Sequence, residues 1–358
     1  MKNTGRRVES IDILRGLDLF FLLFLQPVII SLPNNFDQGW FHYVLYQLDH
    51  EKWVGFRCWD LVMPLFLFLV GASMPFSFSK YRGRKDKGKL YLRIFRRVLI
   101  LFILGMIVQG NLLGFSLDNL EIYNNTLQAI AAGYLIAAII LLNFNRKLQI
   151  AATFLLMAVY SIPMALYGRY QPDDSFAYAV DQMMLGRFHG DLTYTWVWSS
   201  LTFGATVMFG ALSGEIIRKY NTQNSLKTLT FLGAGGIALV ILGLLAGIYE
   251  PIIKRIWTSS MTMFSAGICM SLLCIFYWLT DVMGLRKGLN WLKIYGTNAI
   301  TAYCLGEVIN FRSVVNSLTY GLKPIVPDWY PFILNLGNAC ILFLILYLLD
   351  RSRILIKI

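Results

Sequence analysis

The sequence has few charged residues for its length, and this scarcity argues against a soluble protein. Only 15% of its 358 residues are Asp, Glu, Lys or Arg, and 57% are apolar. Soluble domains carry about 25% charged residues and about 45–50% apolar ones. The mean hydropathy of +0.57 also fits a membrane protein. We therefore expect residues 1–358 to form one transmembrane domain rather than two soluble domains.

The sequence also gives no basis for a disulfide framework or a metal centre. Its five cysteines are odd in number, lie mostly in apolar runs and do not match metal-ligand spacings. We expect neither a disulfide nor a bound metal ion. The cysteines are Cys58, Cys269, Cys274, Cys304 and Cys340.

Neither a signal peptide nor an internal repeat is evident along the chain. The first apolar run contains Asp12, Arg15 and Asp18 and lacks a small-residue cleavage site, so we expect the N-terminus to be retained. Many secondary transporters are built from two related halves. The lack of an evident two-fold repeat in this sequence therefore disfavours a transporter.

Long apolar segments are present from end to end. A helix needs roughly 20 apolar residues to cross a bilayer, and somewhat fewer when its ends are shielded. The segments predict an all-α, polytopic membrane bundle of about ten transmembrane helices. They are residues 14–32, 61–78, 98–115, 127–142, 148–166, 197–212, 231–248, 261–279, 294–311 and 332–349.

The placement of the basic residues explains the net charge of +12. Most Lys and Arg residues fall in alternate loops, and basic loops resist translocation. We therefore expect both termini in the cytoplasm, a multi-pass protein of the cytoplasmic (inner) membrane, and no nucleic-acid partner. Loops 34–59 and 169–195 are then outside. The basic segments lie within residues 2–7, 80–97, 146–147, 218–227, 286–293 and 351–357.

Three glycine pairs lie four residues apart within apolar segments: 110 with 114, 210 with 214, and 243 with 247. Such pairs allow helix backbones to approach closely. We interpret them as packing residues, and they do not indicate a dimer by themselves.

The first apolar segment contains three charged residues where charge is expensive. Asp12, Arg15 and Asp18 are three residues apart, so they lie along one helical face. One interpretation is a ligand or ion pathway, because ionisable groups at membrane depth usually face a cavity or a partner. In the other, Asp12 caps the helix and Arg15 reaches the cytoplasmic surface.

The segment before the second predicted helix contains His50, Cys58 and Asp60. A histidine titrates near neutral pH and can act as a general base at a membrane surface. A structural polar role is the alternative for His50. Nothing in the sequence lowers the pKa of Cys58, so we expect an unreactive thiol.

Residues 80–97 carry the densest positive charge in the chain, including Arg93, Arg96 and Arg97. Such a run commonly anchors topology and attracts anionic lipid. Arginine forks also match phosphate oxygens, so a phosphorylated cytoplasmic ligand is the second interpretation.

Several strings, taken in order, resemble the heparan-α-glucosaminide N-acetyltransferase family. They extend over nearly the whole chain. They are Ser10-Ile-Asp-Ile-Leu-Arg-Gly16, His50 with Trp53, Gly55 and Asp60, Pro64 with residues 66–71, Leu127-Gln128 before Tyr134, residues 181–187, Lys254-Arg-Ile-Trp-Thr-Ser-Ser260 with Gly267, Gly296-Thr-Asn-Ala-Ile300 with Tyr303, and Glu307.

The resemblance implies that acetyl-CoA is bound from the cytoplasm and that a terminal amino sugar is acetylated on the far side. It implies that His50 is the catalytic base, with Asp60 orienting the imidazole. Gln26 stands where the family commonly has Asn, and we expect it to hydrogen-bond the acetyl carbonyl or the acceptor. A homodimer is implied only weakly.

The resemblance also assigns binding residues. We expect Arg15 and Asp12 at the acetyl-CoA site, together with Arg93, Arg96 and Arg97 as candidates for binding its phosphates. Ala129 replaces an Arg that is common in the family, which leaves the acceptor open. The expected substrate-binding residues are Asp18, Gln128, Trp257, Asn298 and Glu307.

Two other functions stay open. Asp12, Arg15, Asp18 and Glu307 could line the pathway of a solute or proton-coupled transporter. The chain could also be an O-acyltransferase that acts on a cell-envelope glycan or a lipid-linked sugar.

Overall fold

The computed structural model describes residues 8–33, 39–81, 88–191, 193–220 and 224–354. The basic residues expected in segments 2–7 and 82–87, the outer-loop residues 34–38 and residues 355–358 lie outside these ranges. The described chain is almost entirely helical. Its two strands, β1 (Tyr170–Gln171) and β2 (Asp174–Ser175), form a short antiparallel hairpin.

The described residues include fifteen α-helices. They are α1 Glu9–Phe20, α2 Gln26–Ile29, α3 Trp40–Gln47, α4 Val62–Phe78, α5 Gly88–Val108, α6 Thr126–Asn143, α7 Arg146–Tyr167, α8 Phe176–Leu185, α9 Ser200–Tyr220, α10 Ser225–Ala246, α11 Ser259–Tyr277, α12 Leu292–Thr297, α13 Ala299–Val308, α14 Phe311–Thr319 and α15 Tyr330–Arg351. Single π-helical segments, Phe21–Leu25 and Trp278–Val282, follow α1 and α11.

Within the described ranges, seven helices are long and apolar enough to cross a membrane, so the chain is a polytopic helical membrane protein. These seven correspond to seven of the ten predicted segments. They are Cys58–Phe78, Thr126–Asn143, Arg146–Tyr167, Ser200–Tyr220, Ser225–Ala246, Ser259–Val282 and Pro327–Arg351.

The other three predicted segments also lie on helices, but not as single long apolar ones. The first is divided by the π-helical segment after α1, and the ninth is broken at Asn298, between α12 and α13. The predicted bounds of the third, 98–115, were wrong. Its helix α5 spans Gly88–Val108, so the arginines that the prediction placed in a loop are helical, and they line a cavity.

Local capping explains where two central helices begin. The Asn125 side chain accepts a hydrogen bond from Leu127 N, while Gln128 Oε1 accepts one from Asn125 N. This reciprocal capping box satisfies free N–H groups at the start of α6. At the start of α7 the Asn145 side chain accepts a single hydrogen bond, from Leu148 N, and Gly168, with a φ of +71°, ends the helix.

Close helix pairs form the centre of the bundle. Helix α4 packs on α9, α10 packs on α11, and α1 packs on α12. Glycines permit these approaches: a Cβ at Gly210 would lie 1.9 Å from the Phe68 carbonyl oxygen, and one at Gly214 would lie 2.1 Å from the Ala72 oxygen. The packing interpretation is confirmed for these two and for Gly243, but it was wrong for Gly114, which has no neighbour within 4 Å.

Candidate active site

A cavity of about 470 Å³ opens at one end of the central helices. It lies against the first turns of α4 and α6 and the residues that follow α5, and we call it the His50 cavity. Its walls are apolar at Met63, Phe66, Leu127 and Ile130. Polar and charged side chains converge on the same space, and they include His50, Glu121, Asn124, Asp191, Lys254 and Glu307.

His50 and Asp60, which the sequence analysis paired, form a direct contact in this cavity. His50 Nδ1 lies 2.7 Å from Asp60 Oδ1, and the Asp60 side chain is 1% exposed while that of His50 is 36% exposed. An ionised carboxylate only accepts hydrogen bonds, so it favours a proton on Nδ1. The Nε2 lone pair is then available as a base.

The main chain holds Asp60 in place. Asp60 lies in the 3-10 turn Cys58–Leu61, which leads into α4. Its Oδ2 accepts hydrogen bonds from Glu51 N at 3.1 Å and Arg57 N at 3.0 Å. The carboxylate therefore fixes the loop that carries His50 as well as the orientation of the imidazole ring.

Arg57 supports the same loop from the solvent side. Its Nε donates to Glu51 Oε2 at 2.9 Å, and its guanidinium lies 3.8 Å from the centroid of the Tyr46 ring. The hydrogen bond from Arg57 lowers the pKa of the Glu51 carboxyl. This pair links α3 to the loop that follows it.

Lys254 also reaches this pair, although the sequence analysis gave it no role beyond its place in a family string. Its Nζ lies 3.0 Å from His50 Nδ1 and 3.5 Å from Asp60 Oδ1, although it follows His50 by 204 positions. Burial lowers the pKa of Lys254 to about 8, against the opposing effect of Asp60. The sequence held one signal for Lys254. It is a basic residue in a loop that the charge bias assigns to the outer side of the membrane, where basic residues are uncommon.

Gln26 approaches the His50 loop from α2. Its Nε2 donates to the carbonyl oxygen of Leu48 at 3.3 Å, two residues before His50. Gln26 is not among the side chains that line the His50 cavity. In this structure the Gln26 amide therefore supports the loop.

A second cavity, of about 410 Å³, lies at the opposite end of α4 and α5, and we call it the arginine cavity. Arg93, Arg96 and Arg97 line it together with Tyr81 and Tyr134. The three arginines that the sequence suggested for phosphate binding thus share one concave site.

Arg97 has an unsatisfied donor at this site. Its guanidinium lies 4.6 Å from the centroid of the Tyr134 ring, and its Nε is buried with no hydrogen-bond partner among the described residues. A buried donor without a partner is costly, and an anionic ligand would satisfy it.

The charged residues of α1 lie away from both cavities. Arg15 donates to Ser73 Oγ at 2.6 Å and to Leu69 O at 3.4 Å, both on α4, and lies 3.7 Å from Asp12. Asp18 is 4% exposed, and its buried Oδ2 has no hydrogen-bond partner among the described residues. The three do not form a pathway with Glu307, which lines the His50 cavity.

Asp12 does not cap its helix. The first N–H groups of α1, from Glu9 and Ser10, donate instead to the Asp281 carboxylate, at 3.3 and 3.0 Å. Sequence reasoning could not find this cap because it comes from a residue 271 positions away.

Three of the expected substrate-binding residues are buried in the packing. The Gln128 amide donates to the carbonyl oxygens of Ile122 and Phe102, at 2.6 and 3.3 Å. Trp257 is 2% exposed and donates to Thr206 Oγ1 at 3.2 Å. Asn298 is 1% exposed and donates to Ile354 O at 3.2 Å.

Comparison with known proteins identifies relatives of one kind. A family model described as "Heparan-alpha-glucosaminide N-acetyltransferase, catalytic" matches residues 7–228. The heparan-alpha-glucosaminide N-acetyltransferase of Homo sapiens is 24% identical over 98% of this chain, and that of Mus musculus is 23% identical over 86%. The chain spans 60% and 54% of the lengths of these two relatives. His50, Asp60 and the arginine cavity lie within the family match, whereas Lys254 and Glu307 lie beyond it.

Proposed function

The chain belongs to the heparan-α-glucosaminide N-acetyltransferase family, and from that membership we propose that it is a membrane-bound acetyltransferase. It takes acetyl from acetyl-CoA bound at the cytoplasmic face and transfers it to an amino sugar, or a related glycan, on the far side of the cytoplasmic membrane. The whole described chain acts as one transmembrane domain.

The observation that carries this proposal is the contact between His50 and Asp60 at the polar end of a cavity. A general base needs a free lone pair, a fixed ring and access to the substrate. Asp60 supplies the first two by accepting from Nδ1, and the cavity supplies the third. A purely structural histidine would not need an open cavity beside it.

The arginine cavity suits the phosphates of the donor. Arg93, Arg96 and Arg97 provide fork-shaped cations, and the buried Nε of Arg97 offers an unused donor. Arg15 and Asp12, paired on α1 and hydrogen-bonded to α4, would support this end of the bundle from behind rather than contact the phosphates.

In this proposal one extended donor molecule spans both cavities. On α6, Ile130 lines the His50 cavity and Tyr134 lines the arginine cavity. These residues are one helical turn apart, a rise of about 6 Å. The flexible arm of acetyl-CoA, which carries the acetyl group at its end, would pass between α4, α5 and α6. It would lie beside Phe78, whose ring centroid is 6.4 Å from that of Tyr134.

The reaction needs one proton acceptor and one carbonyl. The acceptor nitrogen attacks the thioester carbon, and His50 Nε2 takes the proton that this nitrogen loses. The carbon–sulfur bond then breaks, the acetyl group stays on the nitrogen, and the sulfur recovers a proton from the imidazolium. The Gln26 amide, which donates to Leu48 O and does not line the cavity, would support this step by holding the His50 loop in place.

The charge of the His50 cavity suits an acceptor that carries an amine. Glu121, Asp191 and Glu307 line it, and carboxylates attract an amine that arrives as an ammonium group. This ammonium loses one proton to solvent before the amine attacks, and His50 takes the second proton during the reaction. Glu307 keeps its expected role in substrate binding. Asp18, Gln128, Trp257 and Asn298 act instead through the packing that shapes the cavity.

An assay of the purified protein tests this function. The protein in detergent is incubated with acetyl-CoA and glucosamine, or with cell-envelope glycans, and the products are identified by mass spectrometry. We expect acetylation on nitrogen. Acetylation on oxygen would identify an O-acyltransferase, and a lack of acetyl-CoA binding together with solute uptake in vesicles would identify a transporter.

A further inference from the structure

Lys254 and Asp60 place opposite charges beside the His50 imidazole. Asp60 Oδ1 lies 2.7 Å from Nδ1, and Lys254 Nζ lies 3.0 Å from the same nitrogen and 3.5 Å from Nε2. A nearby carboxylate favours the protonated ring, whereas a nearby ammonium disfavours it.

The chain fixes Lys254 from several directions. Its carbonyl accepts a hydrogen bond from Trp257 N at 3.0 Å, which closes a turn, and Trp257 has a φ of +52°. The neighbouring Ile253 is fully buried. Gly55 N donates to Ile252 O at 2.9 Å, so the Lys254 segment is tied directly to the loop that carries His50.

We propose that Lys254 is a positioning residue that keeps the His50 imidazole neutral while Asp60 fixes its tautomer. This inference rests on the proposed function, because a neutral imidazole is what a general base requires. Lys254 is 8% exposed, so water screens its charge weakly. Its low pKa fits the same contact, since burial destabilises the ammonium that Asp60 helps to hold.

Other titratable groups also face the ring or its cavity. Asp49 and Glu51 flank His50 in sequence, and the Glu51 carboxylate is held by Arg57. The remaining groups line the cavity without a contact to the imidazole comparable to that of Lys254. They are Glu121, Asp191, Tyr194, Tyr303 and Glu307.

Arg255 provides a matched control because it places a similar charge one residue further along. Its Nη1 donates to Thr193 Oγ1 at 2.6 Å, and its guanidinium lies 5.1 Å from the centroid of the Tyr194 ring. It therefore points to a different partner from that of Lys254. Removing its charge should leave the ionisation of His50 close to that of the parent protein.

The test measures His50 directly and needs no acceptor. Diethylpyrocarbonate acylates neutral imidazole, so its rate of reaction with His50, followed by mass spectrometry of the peptide that contains it, gives the pKa of the ring. The Lys254→Met variant should raise this pKa by about one to three units. Lys254→Arg and Arg255→Met should leave it near the parent value.

An unchanged His50 pKa in Lys254→Met would overturn the proposal. If that variant does not purify as a single species, Lys254→Gln takes its place with the same expected result. In the acetyltransfer assay, the acid-side inflection of kcat/KM should move upward with the imidazole pKa, with activity recovered at high pH. A shifted imidazole pKa in a protein without acetyltransferase activity would uphold this inference and overturn the proposed function.

Discussion

Arg97 and Tyr134 form a cation–π pair in the wall of the arginine cavity, with the guanidinium carbon 4.6 Å from the ring centroid. The pair joins α5 to α6, one turn of α6 from Ile130 of the His50 cavity. The guanidinium thus lies against the aromatic ring while its Nε has no hydrogen-bond partner among the described residues. The arginines of one cavity and His50 of the other therefore lie at the two ends of α4, α5 and α6.

Arg97→Met should weaken acetyl-CoA binding. A hydrogen bond to a charged group contributes about 1.5–3 kcal/mol, which corresponds to an increase in Kd of roughly 10- to 100-fold. Arg351→Met, which removes an exposed arginine at the end of α15, is the control. Calorimetry in detergent measures both. Equal Kd values in these two variants would exclude the arginine cavity as the phosphate site.

His50→Ala should lower kcat by roughly 10²- to 10⁴-fold, the usual contribution of a general base. The Kd for acetyl-CoA should hardly change, because the proposed phosphate site, the arginine cavity, lies at the other end of α4 and α5. His42→Gln, in exposed α3, is the control and should keep full activity. A well-folded His50→Gln variant with near-normal turnover would show that His50 is a structural histidine.

Stability should rise with pH in a way that depends on Lys254. Its folded pKa of about 8 lies below the ordinary value of 10.5, so the unfolded chain binds the extra proton between these two values. Stability therefore increases as the pH rises through this window. Between neutral pH and about pH 10, the Tm of the parent protein minus the Tm of Lys254→Met should increase. Tryptophan fluorescence measures both Tm values. A constant Tm difference would contradict the low pKa.

Gly210→Ala should destabilise the contact between α4 and α9. The added Cβ would lie 1.9 Å from the Phe68 carbonyl oxygen, so the helices must separate. Overpacking of this kind costs about 1–3 kcal/mol. Gly321→Ala, at a position with no neighbour within 4 Å, is the control. Thermal unfolding in detergent should show a lower Tm for the first variant only, and equal Tm values would disprove the close approach.

Labelling of single cysteines should establish the orientation in the membrane. Asp173 and Lys287 are exposed and lie in loops that the charge bias assigns to opposite sides. In a variant without native cysteines, Asp173→Cys should react with an impermeant maleimide from outside and Lys287→Cys only after lysis. The reverse pattern would place the His50 cavity on the cytoplasmic side and would exclude the proposed direction of transfer.

Hydropathy and charge in the sequence were sufficient to predict a polytopic helical membrane protein. Segments such as 127–142 and 148–166 matched α6 and α7 within a few residues, because a helix in a bilayer must bury its own backbone hydrogen bonds in a long apolar stretch. The motif that contains His50 and Asp60 also indicated the family, and the two residues of this motif are in direct contact in the structure.

Only the tertiary structure decided which distant side chains meet. Lys254 reaches His50 across 204 positions, and Asp281 caps α1 across 271, since packing between non-adjacent helices leaves no periodic signal in the sequence. Both Arg15 and Arg97 were expected at the acetyl-CoA site, but helix packing places only Arg97 in the arginine cavity, while Arg15 is hydrogen-bonded to Ser73. The sequence alone determined the membrane class and the chemical groups at hand, and helix packing determined which of them share a cavity.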